Sequence, residues 1–492
     1  MTVSSRRSES IASSELHERA RAHFALGHRL ALIAGHDDGD ALRAVYLFTG
    51  GPPDERFELS VRLERDRPTV PTLSDLSFSA SRFEREMRDN FGIQPLGHPF
   101  LRPLVRHQHW PEEWRPLRRE AGAMPPHLIE APPYPFIEVE GSGVYEIPVG
   151  PVHAGMIEPG HFRFSVVGET ILKMTARLWY VHRGIERMFQ GVEPVEGVAI
   201  AQRISGDSAL AHSLAYCIAV EEALGLEVSR DARHMRALLL EMERLYNHVG
   251  DVGALCNDVS FAVANARALV VRERLLRLNE ELTGHRLLRG AVGVGYTRVL
   301  SMPADRELHE IAEAFEDVVS LALANSVVVD RFEGTAVLSA VDAAAIGTVG
   351  VVARASGLGM DARQSSPFFG GEFTPVVQQS GDVMARFNQR VQEFRASLDA
   401  VRSLVQGITN PEAGSLQVGE RSSSGVGIVE GWRGVVVHRV ELDSAGRISR
   451  ARTVDPSFFN WPALAIALND TIVPDFPLAN KSFNLSYAGN DL

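Results

Sequence analysis

A proline-rich segment, residues 125–135, divides this sequence into two parts whose hydrophobic patterns differ. Its five prolines favour extended backbone and interrupt both helices and sheets. Short alternations of apolar and polar residues dominate before it, whereas long stretches with helical spacing of apolar residues dominate after it. With 492 residues, the chain is also too long for one ordinary core. The pattern predicts a small domain followed by a larger, mainly helical one.

The first part has the mixed pattern of a small α/β domain, which we assign to residues 21–122. Residues 1–20 are rich in Ser, Arg and Glu, a composition that predicts a flexible N-terminus. Residues 123–140 contain the prolines and are the predicted linker. The alternation and spacing predict the following elements: a helix at Ala20–Leu32, strands at Leu42–Thr49 and Arg56–Arg65, and a helix at Leu73–Arg88.

The second part, residues 141–492, is predicted to be mainly helical with small β elements. Ile147–Phe164 is strand-like, and Gly425–Val454 reads as a hairpin that turns at Ser444–Gly446. Glycines follow several of the helical stretches, where helices commonly end. The fold class is therefore α+β. The predicted helices are Glu169–Phe189, Ala209–Leu224, Asp231–Leu255, Ala264–Leu282, Ala304–Leu323 and Gly381–Leu404.

Charge and hydropathy exclude some partners. The net charge of −12 argues against a nucleic-acid partner, which would require a basic surface. No stretch contains the roughly 18 uninterrupted apolar residues that a membrane span requires. The N-terminus is polar and lacks the apolar region of a secretory signal. We therefore expect a cytoplasmic protein that meets a membrane only through partner subunits.

The only two cysteines, Cys217 and Cys256, lie far apart and belong to no CxxC pair. This excludes a disulfide framework, and it excludes a cysteine-ligated zinc or iron–sulfur site within the chain. Both are expected to be buried as small apolar side chains on helices.

A glycine-rich stretch, Gly290–Gly295, resembles a nucleotide-binding loop only superficially. It follows a predicted helix, whereas a dinucleotide fingerprint requires a strand, then glycines, then a helix N-terminus. The sequence therefore predicts no phosphate site there.

Phe83–Leu104 in the first part reads FEREMRDNFGIQPLGHPFLRPL. This stretch resembles the signature of the C-type peripheral subunit of complex I, ERExxDxFGIxxxGHPxLR. Trp110, Trp114 and Pro116–Arg119 fit the segment that follows the signature in that family. Arg, Trp and Pro on an irregular arm are typical of a protein–protein surface, which the resemblance also implies.

The second part resembles the large subunits of energy-converting membrane hydrogenases, including the formate-hydrogenlyase type, and more distantly the D-type subunit of complex I. The resemblance covers roughly residues 25–490, including the order in which the two parts are fused. The stretches that carry it are Gly150–Phe164, Val181–Met188, Gln202–Gly225, Arg354–Gly357, Asp361–Arg363, Gly381–Arg386 and Asn460–Leu464.

The nickel-ligating cysteines of that family are missing. The family supplies four thiolates, as RxCGxC before a helix and as CxxC near the C-terminus, because soft sulfur ligands hold nickel and iron. The aligned positions here are Ser205, Ser208, Ser486 and Gly489. A serine hydroxyl is a poor ligand for these metals and glycine offers none. The chain is therefore expected to hold no metal and no cofactor of its own.

The quinone-binding features of complex I are also incomplete. The Tyr of the family's DRLDY falls at Gly206, and the second His of its GPxHPxxHG motif does not align cleanly. This weakens direct quinone reduction but leaves quinone open as a ligand.

Polar residues gather in the sequence around the lost metal site, and they are the candidate site residues: Asp207, His212, His161, Glu158 and Arg203. Two interpretations remain open. A carboxylate beside Arg and His in a closed cleft could couple protonation to movement. Alternatively, Arg203, Glu158 and Asp207 simply pair and fill the space that the metal has left.

The resemblance implies a peripheral subunit of a membrane-associated oxidoreductase complex that couples electron transfer to proton movement. The implied partners are an iron–sulfur small subunit of the complex I B-type, a ferredoxin-like subunit, and antiporter-like and other integral membrane subunits. The implied redox groups are an iron–sulfur cluster in a partner and, as a candidate ligand, quinone. Two alternatives remain: a true formate-hydrogenlyase-type nickel–iron hydrogenase, and a structural subunit without substrate.

Overall fold

A computed structural model of the chain shows a mixed α+β fold, as the sequence predicts. None of its helices is long and apolar enough to cross a membrane, within the part of the chain that the structure describes. The residues described are 6–52, 54–128, 130–131, 133–155, 157–365, 373–409, 417–418 and 422–492.

The strands form small separate sheets. The N-terminal sheet has the order β1-β4-β3-β2, with β1 parallel to β4 and the other pairs antiparallel. Two three-stranded antiparallel sheets follow, β7-β8-β9 and β14-β15-β16. The strands are β1 (Arg7–Ile11), β2 (Arg29–Asp37), β3 (Ala41–Gly50), β4 (Glu55–Glu64), β5 (Thr69–Pro71), β6 (Gln94–Leu96), β7 (Val144–Val149), β8 (His161–Val167), β9 (Thr170–Arg177), β10 (Leu226–Glu227), β11 (Val292–Gly293), β12 (Tyr296–Thr297), β13 (Gln417–Val418), β14 (Ser424–Gly431), β15 (Gly434–Leu442) and β16 (Ile448–Val454).

The long helices lie in the second part, close to their predicted positions. The helices are α1 (Leu16–Ala25), α2 (Phe78–Phe91), α3 (Ile185–Met188), α4 (Val198–Ala201), α5 (Ala209–Leu224), α6 (Arg230–Asp258), α7 (Ala262–Thr283), α8 (Asp305–Leu323), α9 (Ser326–Phe332), α10 (Ala340–Ile346), α11 (Gly350–Ala355), α12 (Val383–Gly407), α13 (Pro456–Ala467), α14 (Phe476–Phe483) and α15 (Tyr487–Asp491). The buried apolar stripes of α5, α6, α7, α8 and α12 form one large core cluster.

Two predicted helices are wrong. The helix predicted at Glu169–Phe189 is strand β9 followed by the short helix α3. Leu172 has no partner on β8 and forms a bulge, so that Ile171 and Met174, three residues apart, are both buried. Buried apolar residues three positions apart are typical of a helix, which explains the wrong prediction. The helix predicted at Ala20–Leu32 is α1, which ends at Ala25, followed by β2.

The N-terminus is folded from residue 7 onward, contrary to the expected flexible segment. Strand β1 pairs with β4 along its whole length, because Arg7–Ile11 supplies the parallel edge that β4 leaves open. The described residues of the predicted linker contain no helix or strand. The domain boundaries at 122 and 140 themselves stay a prediction.

The two parts share a core. One buried cluster runs from the N-terminal sheet and α2 into the β7–β9 sheet and α13. Phe83 of α2 stacks on Phe458 of α13, with ring centroids 4.5 Å apart. Buried ion pairs also join the two parts, since Arg452 of β16 contacts both Glu86 of α2 and Glu186 of α3. The N-terminal part is therefore packed firmly against the C-terminal segment that completes the site.

Helix α5 lies directly on the hairpin of β14 and β15. Gly425 and Gly427 permit this approach, since an added Cβ at these positions would come within 2.0 Å of the Ala219 carbonyl and 1.8 Å of the Ala215 carbonyl. The hairpin turns at Trp432 and Arg433, and the contact brings that turn to the start of α5.

Candidate functional site

Three serines aligned with ligand cysteines meet in the structure. Ser205 and Ser208 lie in the loop between α4 and α5, and Ser486 precedes α15. The hydroxyl oxygens of Ser205 and Ser486 are 2.8 Å apart and share a hydrogen bond, although the two residues are 281 positions apart. The structure therefore brings together positions that are far apart in the sequence, and their alignment with ligand cysteines stays a prediction.

Asp207 is held by Arg433, which the sequence did not single out. Both carboxylate oxygens accept from the guanidinium at 2.6 Å, and Oδ1 also accepts from the Ser205 hydroxyl at 3.0 Å. Burial alone would raise the pKa of Asp207, but the Arg433 charge and these hydrogen bonds hold it below its usual value. The Asp207 side chain is still 38% exposed, so this carboxylate lies at the solvent side of the cluster.

The backbone around Asp207 is fixed as well. Its carbonyl oxygen accepts from Trp432 Nε1 at 2.9 Å and from Asn247 Nδ2 at 2.8 Å. The guanidinium of Arg433 stacks over the Trp432 ring and also reaches the Ser208 hydroxyl at 3.3 Å. The hairpin turn and α6 thus clamp the loop from two sides.

His212 belongs to a second, fully buried polar group. Its Nε2 lies 3.0 Å from Asp455 Oδ2 and its Nδ1 lies 3.1 Å from His438 Nε2. His438 Nδ1 faces the Thr453 hydroxyl at 3.3 Å. Burial holds the pKa of His438 well below its usual value, and the neighbouring His212 lowers it further. The three hydrogen bonds are satisfied in sequence when the Thr453 hydroxyl donates to His438 Nδ1, His438 Nε2 donates to His212 Nδ1, and His212 Nε2 donates to Asp455.

Gly489, the fourth aligned position, has no room for a side chain. A Cβ there would lie 2.5 Å from Asp455 Oδ2 and 2.6 Å from its Cγ. Asp455 cannot easily retreat, because it also accepts from the Ser457 amide at 2.7 Å. Asp455 has thus taken the space beside the position that aligns with the fourth cysteine.

These residues do not fit a nickel–iron centre. The hydroxyls of Ser205 and Ser486 bond to each other, Ser208 faces the cation of Arg433, and Gly489 offers no ligand atom. Nickel and iron in such centres require soft, charged sulfur ligands. An arginine 3.3 Å from one ligand position would also repel a metal cation.

The remaining candidate residues lie apart from this cluster. Glu158 is exposed and accepts from the Ala488 amide at 3.0 Å, whereas His161 faces the Gly150 carbonyl at 3.2 Å. Arg203 is exposed and donates to the Ala199 carbonyl at 2.6 Å. The interpretation that Arg203, Glu158 and Asp207 pair with one another is therefore wrong, since Arg433 is the partner of Asp207.

Sequence reasoning missed several residues of the site, namely Arg433, Trp432, Asp455, His438, Asn247 and Glu243. A signal existed for two places in the chain. Trp432 and Arg433 stand between two glycines inside the β-rich C-terminal stretch, which is a turn pattern. Asp455 directly precedes Pro456 and caps α13, a common helix start.

Glu243 of α6 lies behind the loop, at the first turn of α5. Its carboxylate accepts from the Leu210 amide at 2.7 Å and from the Ala211 amide at 3.1 Å. Burial raises the pKa of Glu243 to about 8, although these two amides oppose the rise.

Comparison with known families gives three matches along the chain. Residues 9–125 match the family described as respiratory-chain NADH dehydrogenase, 30 Kd subunit. Residues 258–424 match the corresponding 49 Kd subunit, and residues 183–252 match nickel-dependent hydrogenase. Both parts of the resemblance drawn from the motifs are confirmed.

Similar proteins carry the same fused arrangement of parts. Formate hydrogenlyase subunit 5 of Escherichia coli is 30% identical over 490 residues, covering 95% of this chain and 86% of that protein. Hydrogenase-4 component G of E. coli is 32% identical, covering 87% and 77% respectively. The fused C/D subunit of NADH-quinone oxidoreductase from Phocaeicola vulgatus is 28% identical, covering 77% and 78%.

A solved structure supports the fold. A chain of the membrane-bound sulfane sulfur reductase, an archaeal respiratory membrane complex, superposes with a TM-score of 0.64 at 24% sequence identity. The match covers 71% of this chain and 99% of that one.

Proposed function

The chain belongs to the family that unites fused complex I 30- and 49-kDa subunits with formate-hydrogenlyase-type large subunits, and we propose that it couples electron transfer to proton movement without nickel. As in the family, it is a peripheral subunit of a membrane-bound respiratory complex. One observation carries the proposal. It is a hydrogen-bonded ionic cluster around Asp207 and Arg433, which includes Ser205 and Ser486, two positions that the resemblance aligns with metal-ligating cysteines.

The cluster has the parts that proton coupling requires. Asp207 is a partly exposed carboxylate, so protons from solvent reach it, and its bidentate partner Arg433 sits in the turn of a hairpin. Protonation would remove the charge that holds Arg433 and would loosen the turn. An electron arriving nearby would draw a proton to the same carboxylate, because added negative charge raises a carboxyl pKa.

The electron reaches this region from a partner subunit, in our proposal. No cluster-ligating cysteine is available, since Cys217 and Cys256 are both buried and single. We propose an iron–sulfur small subunit as the direct neighbour, with a ferredoxin-like subunit behind it and antiporter-like subunits in the membrane. The membership of the relatives in multisubunit respiratory complexes supports partners of this kind.

Quinone is the acceptor that we propose to test first. The support is chemical: His161 Nδ1 donates to the Gly150 carbonyl, which leaves Nε2 of the neutral ring as an acceptor. This Nε2 is buried and has no hydrogen-bond partner among the described residues, so it can accept from a hydroxyl group of the reduced quinone. Burial also lowers the pKa of His161, which keeps the ring neutral. A His161→Ala variant should lose reduction of a short-chain quinone by the purified complex, and an unchanged rate would reject quinone at this residue.

Nickel analysis separates this proposal from a true hydrogenase, which the names of two relatives favour. The complex should be purified from its native host and its nickel measured per copy of this chain, with E. coli formate hydrogenlyase as the positive control. We expect no stoichiometric nickel. One nickel per chain would refute the proposal.

Replacement of Asp207 separates coupling from a purely structural role. Asp207→Asn should lower proton translocation per electron in membrane vesicles, with formate, NADH and reduced ferredoxin each tried as donor. The matched control is Glu316→Gln, since Glu316 forms a bidentate pair with Arg395 and is 42% exposed, close to Asp207 in both respects. Unchanged translocation in an assembled Asp207→Asn complex would favour a structural subunit.

A further inference from the structure

We propose that Glu243 holds the exchangeable proton of this site. Its carboxyl group binds this proton more or less tightly according to the charge of Asp207, which lies across the first turn of α5. The inference rests on the proposed function and adds the residue that stores the proton. Four observations support it: the position of Glu243, its lack of a cation, its neighbours, and its contrast with Asp207.

Helix α6 places Glu243 directly behind the Asp207 loop. The Glu243 side chain is fully buried and bonds the amides of Leu210 and Ala211, the second and third residues of α5, which begins two residues after Asp207. Asn247, one turn along α6, donates to both the Glu243 carbonyl at 2.9 Å and the Asp207 carbonyl at 2.8 Å. A shift of the Asp207 loop would therefore also move the α5 amides that bond the Glu243 carboxyl group.

Glu243 lacks the cation that its buried neighbours have. Among the described residues, no Lys, Arg or His nitrogen lies within 4.0 Å of its carboxylate, whereas Glu241 has Arg244 at 3.1 Å and Glu393 has Arg354 at 2.7 Å. A buried carboxyl group without a counter-ion favours its neutral form. Burial and the missing cation thus favour the protonated form of Glu243, against the two α5 amides that favour the ionised form.

The charged groups that act on Glu243 come from two elements. Asp207, in the loop before α5, raises its pKa, and Arg244, on α6, lowers it slightly, while burial is the largest cause. The Tyr246 hydroxyl, also on α6, is buried without a hydrogen-bond partner among the described residues. Its pKa is raised mainly by burial and also by Glu243 and Asp207, so it stays protonated as well.

The two carboxyl groups have opposite protonation states at neutral pH. Asp207 is ionised beside Arg433, whereas Glu243 keeps its proton. Two carboxyl groups whose surroundings shift their pKa values in opposite directions are the usual basis of acid–base catalysis. When a proton binds Asp207, the charge that raises the pKa of Glu243 disappears. Solvent water supplies the proton of the O–H bond that forms at Asp207. The O–H bond at Glu243 is then weaker, and when it breaks its proton passes to solvent water, with no electron transferred.

Infrared spectroscopy of the purified complex tests this coupling without any turnover. The carbonyl band of a protonated carboxyl group, identified by its shift in D₂O, should be followed through a pH titration. We expect a band that is lost with a midpoint near pH 8 in the wild type and is absent in Glu243→Gln. In Asp207→Asn the same group should bind its proton more weakly, so its midpoint should move to lower pH.

Glu84→Gln is the matched control. Glu84 is another fully buried carboxyl group of raised pKa, about 7, but it lies in the N-terminal part and bonds Thr72 and Leu73. Its band should vanish in Glu84→Gln and should not respond to Asp207→Asn. A titration that survives Glu243→Gln, or a Glu243 midpoint that Asp207→Asn leaves unchanged, would overturn the inference.

Two further points keep the outcome clear. If Glu243→Gln fails to assemble, Glu243→Asp retains a carboxyl group but withdraws it from the α5 amides, and should shift the midpoint. An unshifted band would again overturn the inference. Nickel in the complex, or a complex that moves no protons, would reject the proposed function but not the inference about Glu243. The infrared titration measures the resting protein and does not depend on turnover.

Discussion

Gly489→Ala tests whether Asp455 leaves no room for a side chain at Gly489, the fourth position aligned with a ligand cysteine. The new methyl group would lie 2.5 Å from Asp455 Oδ2, 2.6 Å from its Cγ and 3.0 Å from Oδ1. Ordinary contacts between such atoms need about 3.5 Å or more, so the carboxylate must move by about 1 Å. It is held by His212 at 3.0 Å and by the Ser457 amide at 2.7 Å, and moving it breaks at least one of these bonds.

The expected cost follows from these contacts. Overfilling a packed core costs about 1–3 kcal/mol, and losing a hydrogen bond to a charged group costs about 1.5–3 kcal/mol more. Alanine is the better helix former within α15, which offsets about 1 kcal/mol. We therefore expect Gly489→Ala to lower the free energy of unfolding by about 2–4 kcal/mol.

Urea unfolding of the purified chain, followed by tryptophan fluorescence, measures the effect. Trp461 is a suitable local probe, because its ring lies 4.9 Å from Tyr487 at the start of α15. Gly206→Ala is the control, since no atom lies within 4 Å of a Cβ added there. The control should change stability by less than about 0.5 kcal/mol. A Gly489→Ala chain as stable as the wild type would refute the closed position.

Two other predictions concern buried charges. Arg452→Met leaves the buried carboxylates Glu86 and Glu186 without their shared cation and should cost about 3–5 kcal/mol in urea unfolding. Arg395→Met, which removes an exposed bidentate pair, should cost at most about 1 kcal/mol. Equal losses of stability in the two variants would contradict the expectation that the buried pair matters more. Burial raises the pKa of Glu84 from 4.5 to about 7, so the folded state keeps a proton that the unfolded chain has released between these values. The free energy of unfolding of the wild type should therefore fall by about 3 kcal/mol as pH rises through this window. Glu84→Gln should lack that fall, and parallel pH curves for the two proteins would disprove it.

Much of the helical part could be predicted from sequence. Ala209–Leu224 was predicted with the bounds of α5, and α6, α7, α8 and α12 lie within a few residues of their predicted ranges. Long amphipathic stretches decide their own structure, since the apolar spacing that a helix buries is present along the chain. The helix predicted at residues 169–189 was wrong because one bulge at Leu172 altered the spacing of the buried apolar residues in β9.

The candidate site was only half predictable. Ser205, Ser208, Ser486 and Gly489 could be singled out because motif positions are local, and the structure shows that Asp207 contacts Ser205, which bonds Ser486. The partner of Asp207 could not be chosen, since Arg203 is nearer in sequence but donates to the Ala199 carbonyl of the preceding helix α4.

The sequence by itself determined the α+β class, the fused arrangement of parts and the loss of the thiolate ligands, because residue identity and short-range spacing suffice for each. Only the tertiary structure decided which residues surround the positions that align with the ligand cysteines. Arg433, 226 positions from Asp207, reaches it through the contact of α5 with the β14–β15 hairpin. Pairing between distant residues depends on how helices and sheets pack, and a linear pattern of residue types does not record that packing.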